Sequence, residues 1–129
     1  MLFIDPRDPT PLHAQLERSI RVAIAAGRLR PGDRLPTVRQ LARDLGINPN
    51  TVAKVYSALE RTNVLATQRR TGTFVRHAPE PNHIDVNLQE RARLLRNLVD
   101  RILGEAHAAG LTIDDVIDHL ESRRSHTAP

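Results

Sequence analysis

The sequence predicts a mainly α fold of the α+β class, with three helices and a short hairpin in its first part and two helices in its second. Three observations support this. Apolar residues recur at helical spacing through most of the 129 residues, β-prone segments flank residues 69–72, and a proline-rich stretch separates the two parts. We therefore predict a domain over 1–77, a linker over 78–85, a helical dimerisation region over 86–124 and a flexible tail over 125–129.

The first helix follows a short apolar stretch, residues 2–6, which reads as a brief edge strand or an arm. Thr10 is the expected N-cap and Pro11 the expected first helical residue, while Gly27 ends the helix. Its apolar stripe consists of Leu12, Leu16, Ile20, Ala23 and Ile24.

The second helix is short and has clear boundary signals. Pro31 and Gly32 predict a turn before it, and Thr37 with Gln40 has the form of a capping box. The helix ends at Gly46. Its buried stripe is predicted to be Val38, Leu41, Ala42 and Leu45.

The third helix begins at an Asn-Pro pair. Asn48 suits the N-cap and Pro49 the first helical position, and the helix runs to about Arg61. Two β-prone segments, 64–68 and 72–76, then flank a basic tip. The buried stripe of the third helix is Val52, Val55, Tyr56 and Leu59. Three helices with a tight turn between the last two, followed by a hairpin, predict a winged helix-turn-helix.

Charge is distributed unevenly between the two parts. Residues 1–77 carry 13 Lys and Arg against 6 Asp and Glu, whereas residues 78–129 carry 6 against 9. A basic module favours a polyanionic partner, most often nucleic acid, although a solubilising surface is the alternative interpretation.

The exposed face of the third helix carries Asn50, Thr51 and Lys54 near its start and no acid before Glu60. Asn can bond adenine, Thr can contact the thymine methyl group, and Lys can reach guanine or phosphate. The residues at the start of a recognition helix contact base edges in the major groove. An ordinary solvated face is the alternative, but such a face more often carries Glu and Lys pairs.

Further contacts are expected around this helix. Arg34 and Arg39 suit phosphate contacts, and Arg69 and Arg70 suit a wing that touches the backbone or the minor groove. Tyr56 is expected to be half in the core, with its hydroxyl free to reach a phosphate.

The second part cannot bury its apolar residues alone, because two helices of about 22 and 12 residues are too small a unit. A heptad pattern over the first of them favours a homodimer, and the alternative is that both helices fold back on the first part. The predicted dimerisation residues are Leu88, Ala92, Leu95, Val99, Ile102, Leu103, Ile113, Val116, Ile117 and Leu120.

Several classes of protein are not expected. The chain has no Cys, so disulfide and thiolate chemistry are excluded, and its six His include no H-x-x-x-H pair. It contains no Gly-rich phosphate loop and no G-x-S-x-G motif, so we expect no enzyme, no metal and no cofactor. Because it lacks a secretory signal and a long apolar run, we expect a cytoplasmic protein with no membrane partner.

Three segments carry a resemblance to a known family: GRLRPGDRLPTVRQLARDLG (27–46), NTVAKVYSALE (50–60) and TGTFV (71–75). Residues 11–75 resemble the N-terminal DNA-binding domain of GntR-family bacterial transcription regulators. The short helical remainder looks like the YtrA-type subfamily.

The resemblance implies that the chain binds operator DNA as a dimer. It assigns DNA contacts to Arg39 of the LP-[ST]-x-R motif, to the start of the recognition helix (48–51) and to the wing (70–73). The full predicted set is Arg34, Thr37, Arg39, Asn48, Pro49, Asn50, Thr51, Lys54, Tyr56, Arg69, Arg70, Thr71, Gly72 and Thr73.

The chain departs from the family pattern at four positions. Pro49 and Ala53 stand where relatives often have basic residues, so the operator sequence cannot be read from the family. Arg70 stands where the wing often has a Gly, and Asn63 replaces another Gly but tolerates the left-handed region.

Taken together, the residues and the resemblance predict a repressor on a palindromic operator, with release by a small-molecule effector left open. A protein-interaction module using the same surface is the alternative.

Overall fold

The computed structural model describes residues 2–76 and 88–125, and the chain divides into two compact units, residues 1–77 and 78–129. The predicted linker, 78–85, and the tail beyond Ser125 lie outside the described residues. The elements are α1 (Leu12–Ala25), α2 (Val38–Leu45), α3 (Pro49–Arg61), β1 (Leu65–Gln68), β2 (Gly72–Val75), α4 (Leu88–Ala108) and α5 (Ile113–Ser125). The mainly α fold with a small β wing is confirmed.

The start of α1 differs from the prediction. Pro11 is the N-cap and no side chain caps the helix, so the prediction of Thr10 as N-cap and Pro11 as first helical residue is wrong. The physical reason is a turn centred on Asp8, whose Oδ1 accepts a hydrogen bond from Thr10 N at 2.8 Å. The carbonyl of Thr10 in turn accepts from Gln15 Nε2 at 2.8 Å.

The N-terminal segment is an arm that lies along α1. Phe3 N donates to Ser19 Oγ at 3.0 Å and Asp5 N donates to Gln15 Oε1 at 2.7 Å, and Leu2 is buried. Gln15 is buried as well, and its amide has partners on both sides, so its burial leaves no unsatisfied polar atom.

The boundary signals of α2 and α3 are confirmed. Thr37 Oγ1 accepts from Gln40 N and Gln40 Oε1 accepts from Thr37 N, both at 3.1 Å, which is a complete capping box. Gly46 ends α2 in the left-handed region, with φ 68°. At the start of α3, Asn48 Oδ1 accepts from Asn50 N at 2.8 Å.

The wing is an antiparallel hairpin in which Leu65 pairs with Val75 and Gln68 with Gly72. The sequence did not predict that residues 32–35 also pair with β2. Leu35 N donates to Thr73 O at 2.8 Å, and Val75 N donates to Asp33 O at 2.9 Å. The wing is thereby tied to the segment that leads into α2.

A single core holds the first unit together. The predicted stripes of α2 and α3 point into it, but Leu12 of α1 is 39% exposed, so its assignment to the α1 stripe is wrong. Leu12 is the first residue of α1. Burying each large apolar side chain contributes about 1.5–3 kcal/mol. The core consists of Leu2, Leu16, Ile20, Ala23, Leu29, Leu35, Leu41, Ala42, Val52, Val55, Tyr56, Leu59, Leu65 and Val75.

The second unit contains α4 and α5, which contact each other. Thr112 and Asp115 form a second capping box, with bonds of 2.8 and 3.1 Å, at the start of α5. Ala106 is the one buried apolar residue in the described part of this unit, and Leu103 and Val116 are half-buried. Exposed apolar residues are Leu88, Ala92, Leu94, Leu95, Leu98, Val99, Ile102, Leu111, Ile113, Ile117 and Leu120.

Candidate nucleic-acid interface

The start of α3 presents polar side chains on the side opposite its buried stripe. Asn50 and Lys54 are exposed and Thr51 is half-buried, while Val52 and Val55 lie in the core. The first turn contains no acid, and the positive end of the helix dipole lies there. Oxygen Oδ1 of Asn48 is engaged in capping, so its amide nitrogen is the group left to donate.

Asn50 and Lys54 also line an open groove between α1 and α3, together with His13 and Glu17 of α1. Ala53 and Ala58 are among the residues that line this groove.

The start of α2 adds a hydroxyl and a guanidinium. Thr37 accepts the capping bond, and its own hydroxyl hydrogen is still able to donate. Arg39 is exposed on the first turn of α2. Both groups suit contacts with a phosphate oxygen, which only accepts hydrogen bonds.

Arg34 lies against the wing. A Cβ added at Gly72 would be 2.9 Å from Arg34 Nε and 3.4 Å from its Cζ, and Gly72 has a φ of 120°. The backbone angle favours glycine here, whereas the exposed guanidinium of Arg34 could move away from a Cβ. Arg70, at the tip, has a φ of 70°, at the position where the resemblance implies a frequent glycine.

The cations of this surface are not neutralised from within the chain. Across residues 2–76 and 88–125, Arg34, Arg39, Lys54, Arg69 and Arg70 form no ion pair. All five are exposed. Such groups are available to a polyanion and would release counterions on binding it.

Tyr56 does not belong to this surface as predicted. It is 4% exposed, and its hydroxyl donates to the carbonyl of Pro36 at 2.7 Å, so the expectation of a hydroxyl free to reach phosphate is wrong. Burial raises the pKa of Tyr56 to about 12. Its bond instead ties the middle of α3 to the residue before the N-cap of α2, which fixes the angle between the two helices.

Hydrogen bonds that were not predicted from the sequence link the side chains of Glu60, Thr67 and Thr73. Glu60, at the end of α3, accepts a hydrogen bond from the hydroxyl of Thr67 on β1. Thr67 Oγ1 lies 3.3 Å from Thr73 Oγ1 on β2, its cross-strand neighbour. Thr67 and Thr73 lie on either side of the tip in the sequence, but their contact can be predicted only when the register of the hairpin is known.

No cluster of His, Asp or Glu that could hold a metal ion occurs within the described ranges. None of the described helices is long and apolar enough to cross a membrane.

The sequence matches the family model for bacterial regulatory proteins of the gntR family over residues 12–75. It is 32% identical over 121 residues to the HTH-type transcriptional repressor YtrA of Bacillus subtilis, which covers 94% of this chain and 90% of the relative. The fold is similar to that of YtrA from Sulfolobus acidocaldarius, a GntR-family transcription factor, with 34% identity, a TM-score of 0.58 and coverage of 76% and 97%. It is also similar to AraR(DBD) in complex with operator ORX1, with 29% identity, a TM-score of 0.51 and coverage of 57% and 92%.

Proposed function

Because the chain belongs to the GntR family, as a DNA-binding transcription regulator of the YtrA type, we propose that it is a repressor that binds a palindromic operator as a homodimer. The observation that carries this proposal is the set of exposed, unpaired cations around the polar start of α3. The Bacillus subtilis relative is named a repressor, which supports the direction of regulation. A DNA partner also supports action in the cytoplasm.

In this proposal α3 lies in the major groove with its first turn against the bases. Asn50 bonds adenine, Thr51 contacts a thymine methyl group, and Lys54 reaches guanine or phosphate. Pro49 and Asn48 place the backbone at the start of the helix close to the DNA. Further contacts with phosphates and the minor groove come from Arg34, Thr37, Arg39, Arg69, Arg70, Thr71, Gly72 and Thr73.

The apolar faces of α4 and α5 form the dimer interface in this proposal, with residues 86–124 as the dimerisation region and 78–85 as the linker. Within residues 88–125, ten large apolar residues are exposed. A second copy of the same unit would cover them by isologous pairing, which also gives the two-fold symmetry that a palindromic operator requires. The alternative, packing on the first unit, predicts a monomer in sedimentation experiments.

Release from DNA by a small molecule is the last part of the proposal. The second unit is too small for a roomy pocket of its own, so the effector site would lie at the dimer interface. Selection of bound DNA from random sequence, with and without candidate ligands, tests the release by an effector separately.

The test is selection of bound DNA from random sequence, followed by affinity measurements over a range of salt concentrations. Arg39→Ala should weaken binding to all sequences and reduce the slope of log affinity against log salt by about 1.8, because the dimer loses one phosphate contact of about 0.9 in each half-site. Asn50→Ala should cost about 1–3 kcal/mol in each half-site and relax the preference at one base pair there.

Arg21→Ala is the matched control, because it removes one exposed positive charge from α1 at a residue outside the predicted set of DNA contacts. It should change neither the sequence preference nor, beyond a small long-range effect, the salt slope. If the wild-type chain shows no salt-dependent, sequence-selective binding, DNA is not the partner of this surface and a protein-interaction role replaces the proposal.

A further inference from the structure

The hydrogen bonds that link Glu60, Thr67 and Thr73 have a direction that follows from their chemistry. The carboxylate of Glu60 can only accept, so the single hydroxyl hydrogen of Thr67 is committed to Glu60. Thr67 Oγ1 can then act only as acceptor toward Thr73, whose oxygen is 3.3 Å away. The hydroxyl hydrogen of Thr73 therefore points across the hairpin toward Thr67.

This direction decides what Thr73 can offer to a molecule outside the wing. With its hydrogen engaged, Thr73 Oγ1 presents lone pairs only. Phosphate oxygens also only accept, so Thr73 is unsuited to bond them in this arrangement. Among the base edges of the minor groove, the 2-amino group of guanine is the one donor, since adenine and thymine show acceptors there.

Thr73 is near enough to the tip for such a contact. It follows Gly72 directly after the tip residues Arg69–Thr71, and its side chain is half-buried rather than closed off. Its backbone is also fixed, because Thr73 O accepts from Leu35 N at 2.8 Å. A residue with a fixed backbone and a hydroxyl of fixed direction can discriminate between base edges.

We propose that Glu60, acting through Thr67, makes Thr73 a hydrogen-bond acceptor toward DNA and so gives the wing a preference for guanine in the minor groove. This rests on the proposed operator binding. Glu60 and Thr67 are positioning residues here, and Thr73 is the residue that reads the base.

The experiment replaces each guanine beneath the wing of the selected operator, one at a time, by inosine. Inosine lacks the 2-amino group and leaves the major-groove edge unchanged. One such replacement in each half-site should weaken wild-type binding roughly fivefold to a hundredfold, because the dimer loses two hydrogen bonds, one in each half-site. Thr73→Val should bind the guanine and inosine operators equally.

The positioning role is tested by Glu60→Ala and Thr67→Val, with Thr67→Ser as the control that keeps the hydroxyl. Glu60→Ala and Thr67→Val should lose the discrimination between guanine and inosine, whereas Thr67→Ser should keep it. Their salt slopes should equal that of the wild type, because Arg69 and Arg70 still contact DNA. A wing that had merely become disordered would instead lose part of the salt slope. Thermal unfolding checks that each variant is folded.

The inference is overturned if the wild type discriminates against inosine at no position, or if the selected operator has no guanine beneath the wing. It is also overturned if Glu60→Ala keeps full discrimination. In each of these results the wild type still binds its selected operator with a steep salt dependence, so the proposed function stands. If the wild type showed no selective binding to DNA, both this inference and the proposed function would be contradicted.

Discussion

The two units of the chain place the same kinds of side chain in opposite environments. In the first unit, Leu16 and Leu59 are fully buried. In the second, Leu95 is 61% exposed and Leu120 is 60% exposed. Three helices and a hairpin can surround a shared interior, whereas two helices in contact leave most of their apolar surface uncovered.

Because of this difference in burial, we expect the surfaces of the two units to serve different purposes. The first unit has the contacts it needs to keep its shape, so its exposed surface can be polar and cationic. In the second unit, large apolar side chains of both α4 and α5 are exposed, which supports the dimer interface that we propose. Changes in the first unit should therefore be felt as loss of stability, and changes in the second as loss of assembly.

The largest expected effect is on the core of the first unit. Leu59→Ala should lower the free energy of unfolding by about 2–5 kcal/mol, because it leaves a cavity among fully buried side chains. Urea unfolding followed by circular dichroism measures this. Leu12→Ala, at a residue that is 39% exposed, is the matched control and should cost well under half as much. Equal costs at the two positions would contradict the core described above.

The next effect concerns assembly. Leu95→Asp should raise the dissociation constant of the proposed dimer roughly a hundredfold, because it introduces a charge into the apolar interface of that proposal. Sedimentation equilibrium measures the constant. Asn97→Asp, an exposed residue displaced to the other side of α4, adds the same charge and should leave it nearly unchanged. A wild-type chain that is monomeric at micromolar concentration would contradict the proposed dimer.

A smaller effect is expected at the bond between α3 and the segment before α2. Tyr56→Phe should cost about 1 kcal/mol near neutral pH, since the carbonyl of Pro36 loses its partner. The pKa of Tyr56 is raised from 10.0 to about 12, so the unfolded chain releases this proton first. The stability linked to the proton is complete below about pH 10 and is lost as the pH rises toward 12.

The wild type should therefore lose stability relative to Tyr56→Phe over that pH range. Because the chain has one Tyr and no Trp, ultraviolet absorbance of tyrosinate follows this single group directly. Ionisation at the ordinary pKa in the folded chain would contradict the buried, hydrogen-bonded hydroxyl.

The smallest effect compares the two capping boxes. Thr37→Ala and Thr112→Ala should each cost about 0.5–1 kcal/mol, because both caps are exposed, while the Ser variants keep most of the bond. The loss at Thr112 should depend on protein concentration, because the folding of α5 is linked to dimer formation in our proposal. The loss at Thr37 should not. Thermal melts at several concentrations distinguish the two.

Local signals predicted the boundaries of α2 and the start of α3. Each depends on residues within four positions of one another, such as Thr37 with Gln40 or Asn48 with Pro49. The side chains and backbone groups that form these caps are brought together by the helix itself. For such caps, the sequence pattern therefore predicts the hydrogen bond itself.

Contacts between distant segments could not be predicted in the same way. The pairing of residues 32–35 with β2 and the bond from Tyr56 to Pro36 join positions far apart in sequence. Tyr56 was correctly expected on the buried stripe, but spacing alone does not tell which carbonyl its hydroxyl meets. The same limit applies to Glu60 and Thr67, which meet only because the hairpin folds back on the end of α3.

The start of α3 has a consequence for the thermodynamics of recognition. The ring of Pro49 fixes one backbone angle, and the side chain of Asn48 closes the first turn before any ligand arrives. Association then has little helix left to order, and the entropic penalty of fixing that turn falls on folding instead. A calorimetric titration should accordingly show a smaller unfavourable conformational entropy than for a variant with Gly at position 49, whose first turn would fray in the free protein.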